Sequence, residues 1–286
     1  MSIKNGEIIF TYEAKLTNPN GDIDDENRPR MDYQTLTNLV SDVRLKRYIR
    51  DYMLDQGKEI FINHDPNVQT ATERLTESME NIGIKDLKKD FERLKDFIDI
   101  RMFGAMVPIK GDKDAGNSND SVKIVGPVQF SWGYSLNAVE LLNSYSITGG
   151  FASKIGNKNS SIGKDYRLYY SLISFYGIIN GKRAEKSGLS ENDMEALDDA
   201  LINAIPEQAS RSKIGQTPLF YLRTISDKYV GDMRDYIKLK SINNPIRNIS
   251  DYSLDISALK NVLETKNIQI GKYWKSNLLN TNNINF

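Results

Sequence analysis

The sequence predicts an α+β domain carrying protrusions, and three observations lead there. Strand-like and helical periods alternate irregularly, without the regular rhythm of a doubly wound parallel sheet. Two long polar stretches, 104–121 and 144–165, interrupt the pattern. The chain has 286 residues with 15 Tyr and 10 Phe, enough to bury a substantial core. The expectation is a single domain over 1–286 with insertions at those two stretches. Residues 207–286 complete its core, and the tail after Lys275 frays.

Composition narrows the function classes. Lys+Arg and Asp+Glu both number 38, so formal net charge is zero and any nucleic-acid binding must come from local clustering. The absence of cysteine excludes disulfides and thiolate chemistry. No stretch reaches the ~18 apolar residues of a membrane span, and the N-terminus lacks the apolar core of a signal peptide. A soluble, cytoplasmic protein with no membrane partner is expected.

Residues 7–16 alternate, with Ile8, Phe10, Tyr12, Ala14 and Leu16 on one side and Glu7, Thr11, Glu13 and Lys15 on the other. A period of two predicts a half-buried strand. Asn18, Pro19, Asn20 and Gly21 end it with turn chemistry. Ser41 is placed to cap a helix running to about Met53. Glu59–Asn63 reads as a short strand-like run. Leu87, Phe91, Leu94, Phe97 and Ile98 have helical spacing, predicting an amphipathic helix over 85–103. Val122–Trp132 returns to β character, and Tyr166–Ile179 reads as a long aromatic strand. Ser190 with Asp193, and Leu189 with Met194, form a capping box and a hydrophobic staple, and Pro206 closes that helix. Leu219–Ile225 and Tyr236–Ile242 are strand-like.

The stretch richest in chemistry is 17–51. On the helix, Leu45, Tyr48, Ile49, Tyr52 and Met53 gather on one side, and Arg44, Lys46, Arg47 and Arg50 on the other. Such a basic face suits a phosphate backbone, each Arg offering a planar fork of donors. A solvated surface is the plainer reading of the same face. The loop before it holds Asn18, Asn20, Asp22, Asp24, Asp25 and Glu26, yet a calcium loop fails. Ile23 stands where the turn glycine belongs, and Pro29 where the bidentate Glu belongs. His64 is the only histidine, which leaves acid–base or metal chemistry poorly supplied. In 144–165, four glycines accompany Lys154, Lys158 and Lys164, and Phe151 is an aromatic free to stack on or wedge against a base. An ordinary exposed loop is the alternative there.

Taken together, NPNGDIDDENRPRMD and SDVRLKRYIRDY resemble the backbone subunit of CRISPR-associated type I effector complexes (Cascade), of the type I-B kind within the Cas seven, RAMP superfamily. Matches continue through Asp99–Gly104, Gly126–Phe130, the aromatic strand from Tyr166, and Gly188–Ser190, covering roughly residues 5 to 205. The family often has Pro where Ile23 stands and Gly near Leu36. The resemblance implies a modified RRM (ferredoxin-like) palm with finger-like and thumb-like insertions, the finger at 104–121 and the thumb at 144–165. It implies a non-catalytic protein that binds guide RNA (crRNA), stacks on copies of itself and on other Cascade subunits, and presents the guide to target DNA in antiviral defence. Carried over by position, Asn18, Asn20, Arg28, Arg30, Arg44, Lys46, Arg47 and Arg50 line the RNA groove, and Phe151, Lys154 and Lys158 belong to the thumb. No catalytic residue, metal or cofactor is implied. The competing reading is a RAMP-type RNA endonuclease acting on repeat or target RNA, with His64, Asp112 or Asp165 as its candidates.

Overall fold

Strand β1 (Gly6–Thr17) is buried along most of its length. The computed structural model describes residues 2–63, 91–108, 121–143, 146–148 and 162–279. In chain order come β2 (Gly21–Asp22), β3 (Arg28–Pro29), β4 (Met31–Asp32), β5 (Thr37–Val40), α1 (Asp42–Asp55), α2 (Ile98–Phe103), β6 (Gly104–Pro108), β7 (Ser121–Val125), β8 (Val128–Phe130) and β9 (Gly133–Ser135). After them come β10 (Ser146–Thr148), β11 (Ile162–Lys164), β12 (Leu168–Ile179), α3 (Gly181–Ser187), α4 (Glu191–Glu207), β13 (Gln216–Ile225), β14 (Lys238–Ser241), β15 (Tyr252–Asp255), α5 (Ser257–Thr265) and β16 (Gln269–Lys275). Among the described residues no helix is long and apolar enough to cross a membrane.

Eight strands form one antiparallel sheet in the order β16-β13-β1-β12-β9-β5-β4, with β8 also on β12. β1 pairs along both edges, Phe10 standing opposite Phe175 of β12 and Tyr221 of β13. Ile8, Phe10, Tyr12 and Ala14 pack with Leu45, Tyr48, Ile49 and Met53 of α1 and Met194, Leu197 and Leu201 of α4. On the opposite face Ile9, Leu172, Leu219 and Leu222 pack with Met233, Tyr252, Leu254, Leu259 and Leu263. Each such apolar side chain, fully buried, contributes about 1.5–3 kcal/mol.

β1 is therefore buried on both faces, not half-buried. Its polar alternation faces buried hydrogen-bond partners instead of water. Glu7 accepts from the Tyr176 hydroxyl (2.6 Å) and from the N–H groups of Val230 (2.6 Å) and Gly231 (2.9 Å). Thr11 Oγ1 and Ser174 Oγ lie 3.0 Å apart, and Glu13 accepts from the Tyr170 hydroxyl (2.9 Å). Leu16 leaves the pattern, at φ 52° and 47 % exposed.

Other expectations are also corrected. Residues 85–103 are not one helix: a 3₁₀ segment, Phe91–Asp96, gives way to extended backbone at Phe97 before α2. Glu59–Asn63 is not a strand; Ile60 and Phe61 are buried, and the Phe61 N–H donates to Asp99. The stretch 104–121 begins and ends in a paired ribbon, Gly104 opposite Val125 through Pro108 opposite Ser121. The chain after Lys275 docks as far as Leu279, whose buried side chain packs under α5 and β15. The helix start at Ser190 forms as its sequence predicts, with both capping-box hydrogen bonds present.

α4 is fastened to the sheet by a buried network. Asp198 accepts from Arg223 Nε (2.8 Å) and Nη2 (2.7 Å) and from the Tyr221 hydroxyl (2.5 Å). Tyr52 of α1 donates to Asp199 (2.7 Å), and that carboxylate pushes the phenol up to about 12. Removing one partner of a buried pair leaves the other charge uncompensated. Asp198→Ala is expected to cost about 3–5 kcal/mol of unfolding free energy. A shift in the urea midpoint worth less than ~1 kcal/mol would show that this network does not hold α4 in place.

Candidate nucleic-acid interface

The loop after β1 is a short hairpin. β2 pairs with β3, a 3₁₀ turn spans Ile23–Asp25, and Glu26 and Asn27 adopt left-handed backbone, φ 49° and 63°. Two asparagines brace it. Asn18 Nδ2 donates to the Asn27 carbonyl (2.8 Å), and Asn20 Oδ1 accepts from the Ser41 N–H (2.9 Å) and hydroxyl (3.0 Å). Ser41 sits at the N-cap of α1, but its hydroxyl is spent on Asn20 and makes no cap bond. Asn20 thus fixes the hairpin to the helix. Leu36, near the position where the family often has glycine, takes φ 55°. Glycine adopts that backbone without strain.

The acidic residues of the hairpin now have a physical role. Asp22 pairs with Arg30 (3.1 Å) and Asp25 with Arg28 (3.7 Å). Glu26 accepts from Lys164 (2.7 Å) and from the Tyr166 hydroxyl (2.6 Å), which hold its carboxyl below the usual range. Arg28 lies 4.7 Å over the Tyr166 ring, and Arg30 5.9 Å from the Trp132 ring. Lys164 ends the β10–β11 ribbon, so Glu26 clamps the hairpin to the base of the 144–165 insertion. Phe151, Lys154 and Lys158 lie outside the described residues, as do His64 and Asp112.

The cations of α1 do not form one solvent-facing stripe. Lys46 is buried against Asp42 (3.0 Å) and 5.6 Å from the Phe103 ring. Arg50 is buried too: its Nε donates to Asp99 Oδ2 (2.9 Å), and Asp99 also accepts from the N–H groups of Phe61 and Ile62. The charged heads of Lys46 and Arg50 lie 5.6 and 5.2 Å from the Phe103 ring, and Asp42 and Asp99 receive them from the other side. Arg47 makes a two-pronged pair with Asp51, 2.7 and 2.6 Å, and keeps about a third of its side chain exposed. Arg44 lies 4.0 Å over the Tyr48 ring. Helical angle alone placed these side chains on the outer half of α1, and Asp99, the partner of Arg50, lies 49 residues away.

The structure adds residues that the sequence reading did not select. The turn 211–215 reaches the hairpin, and Gly215 permits it: at φ 96°, a Cβ there would lie 2.4 Å from the Lys15 carbonyl oxygen. Lys213 donates to the Asn18 and Pro19 carbonyls, and burial together with the charge of Arg44 lowers its pKa to about 8. Trp132 is 47 % exposed beside Arg30, and exposed Arg211 pairs with Asp165 (3.2 Å). These residues lack local sequence signatures. Only the hairpin's contacts with distant strands and turns bring them together.

Comparison with known proteins agrees with the motif resemblance. The family model of CRISPR-associated protein Cas7 matches residues 4–257, well beyond the span that the motifs cover. A curated CRISPR-associated protein Cas7 of Haloferax volcanii is 31 % identical, over 92 % of this chain and 84 % of its own length. Among solved structures, a chain of a CRISPR RNA-guided surveillance complex in a pre-nicking state shares the fold, with TM-score 0.50 and 13 % identity over 81 % of this chain and 79 % of that one. With its α+β sheet, braced hairpin and aligned length, the chain belongs to the CRISPR-associated Cas7 family.

Proposed function

We propose that this chain is a non-catalytic backbone subunit that holds guide RNA along the edge formed by the hairpin, the N-terminal part of α1 and the base of the 144–165 insertion. Copies stack along the guide with other subunits of a type I effector complex and present it to target DNA. The observation that carries the reading is the convergence of Arg28, Arg30, Arg44, Arg47, Lys164 and Lys213 on that one edge, with Tyr166 and Trp132 among them. Cations beside flat rings suit a single strand, taking its phosphates and its bases at once. Family membership and the name of the solved relative, an RNA-guided complex, support it.

The palm is read as a modified RRM, or ferredoxin-like, unit. Its support is the strand order β13-β1-β12-β8, with α1 following β1 and α4 following β12 on the same face of the sheet. The opposite face, where an RRM ordinarily stacks bases, is covered here by residues 230–268. RNA therefore runs past the hairpin edge and reads as shape and charge, while base pairing with the guide reads the target. Phe151, Lys154 and Lys158 keep their proposed thumb role, and the 104–121 ribbon its finger role. Asn18 and Asn20 support the groove as braces, and Lys46 and Arg50 as the buried foundation of α1.

Catalysis has no part in this reading. Asp165, the described nuclease candidate, is held by Arg167 (3.0 Å) and Arg211 (3.2 Å), which favours a structural role over a free base or metal ligand.

Purified protein is expected to carry host RNA and to run as a ladder of oligomers. Reversing Arg30 and Arg47 together to Glu should bring the 260/280 nm absorbance ratio down to that of protein alone. RNA retained by that variant at moderate salt would count decisively against the edge. Incubation with repeat-containing and complementary RNAs, with and without divalent metal, is expected to leave them intact; specific cleavage lost in Asp165→Ala would replace the scaffold reading with a nuclease. The helix cations should divide by depth. Arg50→Ala, which strands Asp99 in the interior, is expected to cost about 3–5 kcal/mol of stability, and Arg47→Ala less than ~1 kcal/mol. Equal losses in chemical denaturation would mean that the two are not distinguished by burial.

A further inference from the structure

β16 ends the sheet on one side, and among the described residues it pairs only with β13. Its other edge carries backbone N–H and C=O groups with no strand beside them, a template for a further strand. Concave space surrounds the end where Gln269 stands. A cavity of about 450 Å³ opens on the face that α1 and α4 cover, between Ile3, Ile179 and Met194. Another, of about 370 Å³, opens on the opposite face against Leu263, Ile268 and Ile270. A third, of about 900 Å³, lies off the strand end itself, where Lys4, Lys228 and Lys266 line it against one acid, Asp227. All three lysines are exposed, and among the described residues none is paired with a carboxylate; Lys266 meets the Val230 carbonyl (3.5 Å).

The plainer reading is an edge guarded against pairing. β16 reads QIGKYWK, with two lysines and no acid; Lys272 is exposed, and the register with β13 skips Gly271. Lysines and bulges keep edge strands from joining copies of themselves. The same charge selects in the other direction. Two β16 edges brought together oppose lysine to lysine, whereas an acidic strand meets cations throughout. A polypeptide also fits the edge better than a polynucleotide. Phosphates only accept hydrogen bonds, while a peptide supplies donors and acceptors at the matching spacing.

Direction follows from the sheet, whose pairings are antiparallel. A strand added in that sense runs from Lys275 toward Gln269 and delivers its C-terminal end to the three lysines. Its carboxylate and nearby acidic side chains meet those cations, while its alternate residues turn to the two faces where the apolar cavities open. We propose that the free edge of β16 and the lysine-lined cavity at its start bind an extended, acidic C-terminal segment of a partner protein as an added strand. The seven residues of β16 accommodate about 24 Å of such a segment. β1, with 12 residues and so about 40 Å long, separates this place from the hairpin, because Lys4 precedes the strand and Asn18 follows it. The inference therefore does not rest on the RNA-binding reading.

The test uses full-length protein freed of nucleic acid. The probe is an eight-residue peptide of alternating Val and Thr ending in Asp-Asp-Glu, with a free carboxylate and an N-terminal fluorescein. Anisotropy should show saturable binding, weakened about tenfold by Lys4→Glu combined with Lys228→Glu. Amide hydrogen exchange should show new protection within Gln269–Lys275 and none on the hairpin. The same residues in reverse order, acids first, should bind about tenfold more weakly. Both substituted lysines are exposed, so the double variant should keep its fold and hold a labelled 30-nucleotide RNA as tightly as the parent does. No saturable binding, equal binding by the double variant, or binding without protection of β16 overturns the site. Equal binding of the reversed peptide overturns the added strand. RNA affinity lost in the double variant would assign the cavity to RNA, and β16 protection that rises with protein concentration alone would assign the edge to a second copy; either overturns the partner segment.

Discussion

The two-sided hydrogen bonding of β1 is the constraint on which the rest of the molecule depends. Because both its edges are paired, with β12 and with β13, neither helical layer can form its contact surface without it. Because both its faces are buried, each of its polar side chains needs an internal partner. Glu7 is the clearest case: an unpaired carboxylate there would be prohibitive, and the turn at Val230–Gly231 supplies N–H donors from the C-terminal segment. The strand that begins the sheet thus specifies how the C-terminal end of the chain must fold. The hairpin that follows β1 inherits a rigid base, and the proposed RNA edge is built from that base outward.

Charge is organised by the same economy. The chain is neutral overall, and around the hairpin and α1 most basic residues are matched to individual acids instead of being massed on a surface. Asp22, Asp25 and Glu26 order Arg30, Arg28 and Lys164; Asp51 orders Arg47; Asp99 turns Arg50 inward. Side chains held in this way lose little freedom when a ligand arrives, which favours a defined path for a flexible polymer over diffuse adhesion. The acidic hairpin, which made no sense as a metal site, makes sense as the frame that aims its basic neighbours.

Periodicity made much of the fold legible. β1, β12, β13 and the capped start of α4 stand close to where alternation and the Ser190–Asp193 pair put them. It failed where a long-range partner decided the outcome. The apparent helix over 85–103 breaks at Phe97, and Ile60–Phe61 is organised by Asp99 instead of by a neighbouring strand. In the site, residue type identified the cations, but angle on a helix could not say that Lys46 and Arg50 tuck beneath Phe103. Lys213 was invisible for a related reason. Its significance comes entirely from Asn18 and Arg44, each well over a hundred residues away along the chain.

That sequence distance also bears on how the protein is made. Thr11 meets Ser174 across 163 residues, and Glu7 meets Thr224 across 217. At the ~5–20 residues per second of synthesis, β1 waits on the order of ten seconds or more for its first neighbour and longer for its second. Throughout that interval an apolar strand has open edges and one face with no covering layer, the condition under which chains pair with the wrong partner. The period of greatest exposure therefore falls before the chain is complete, when neighbouring nascent chains are the nearest wrong partners.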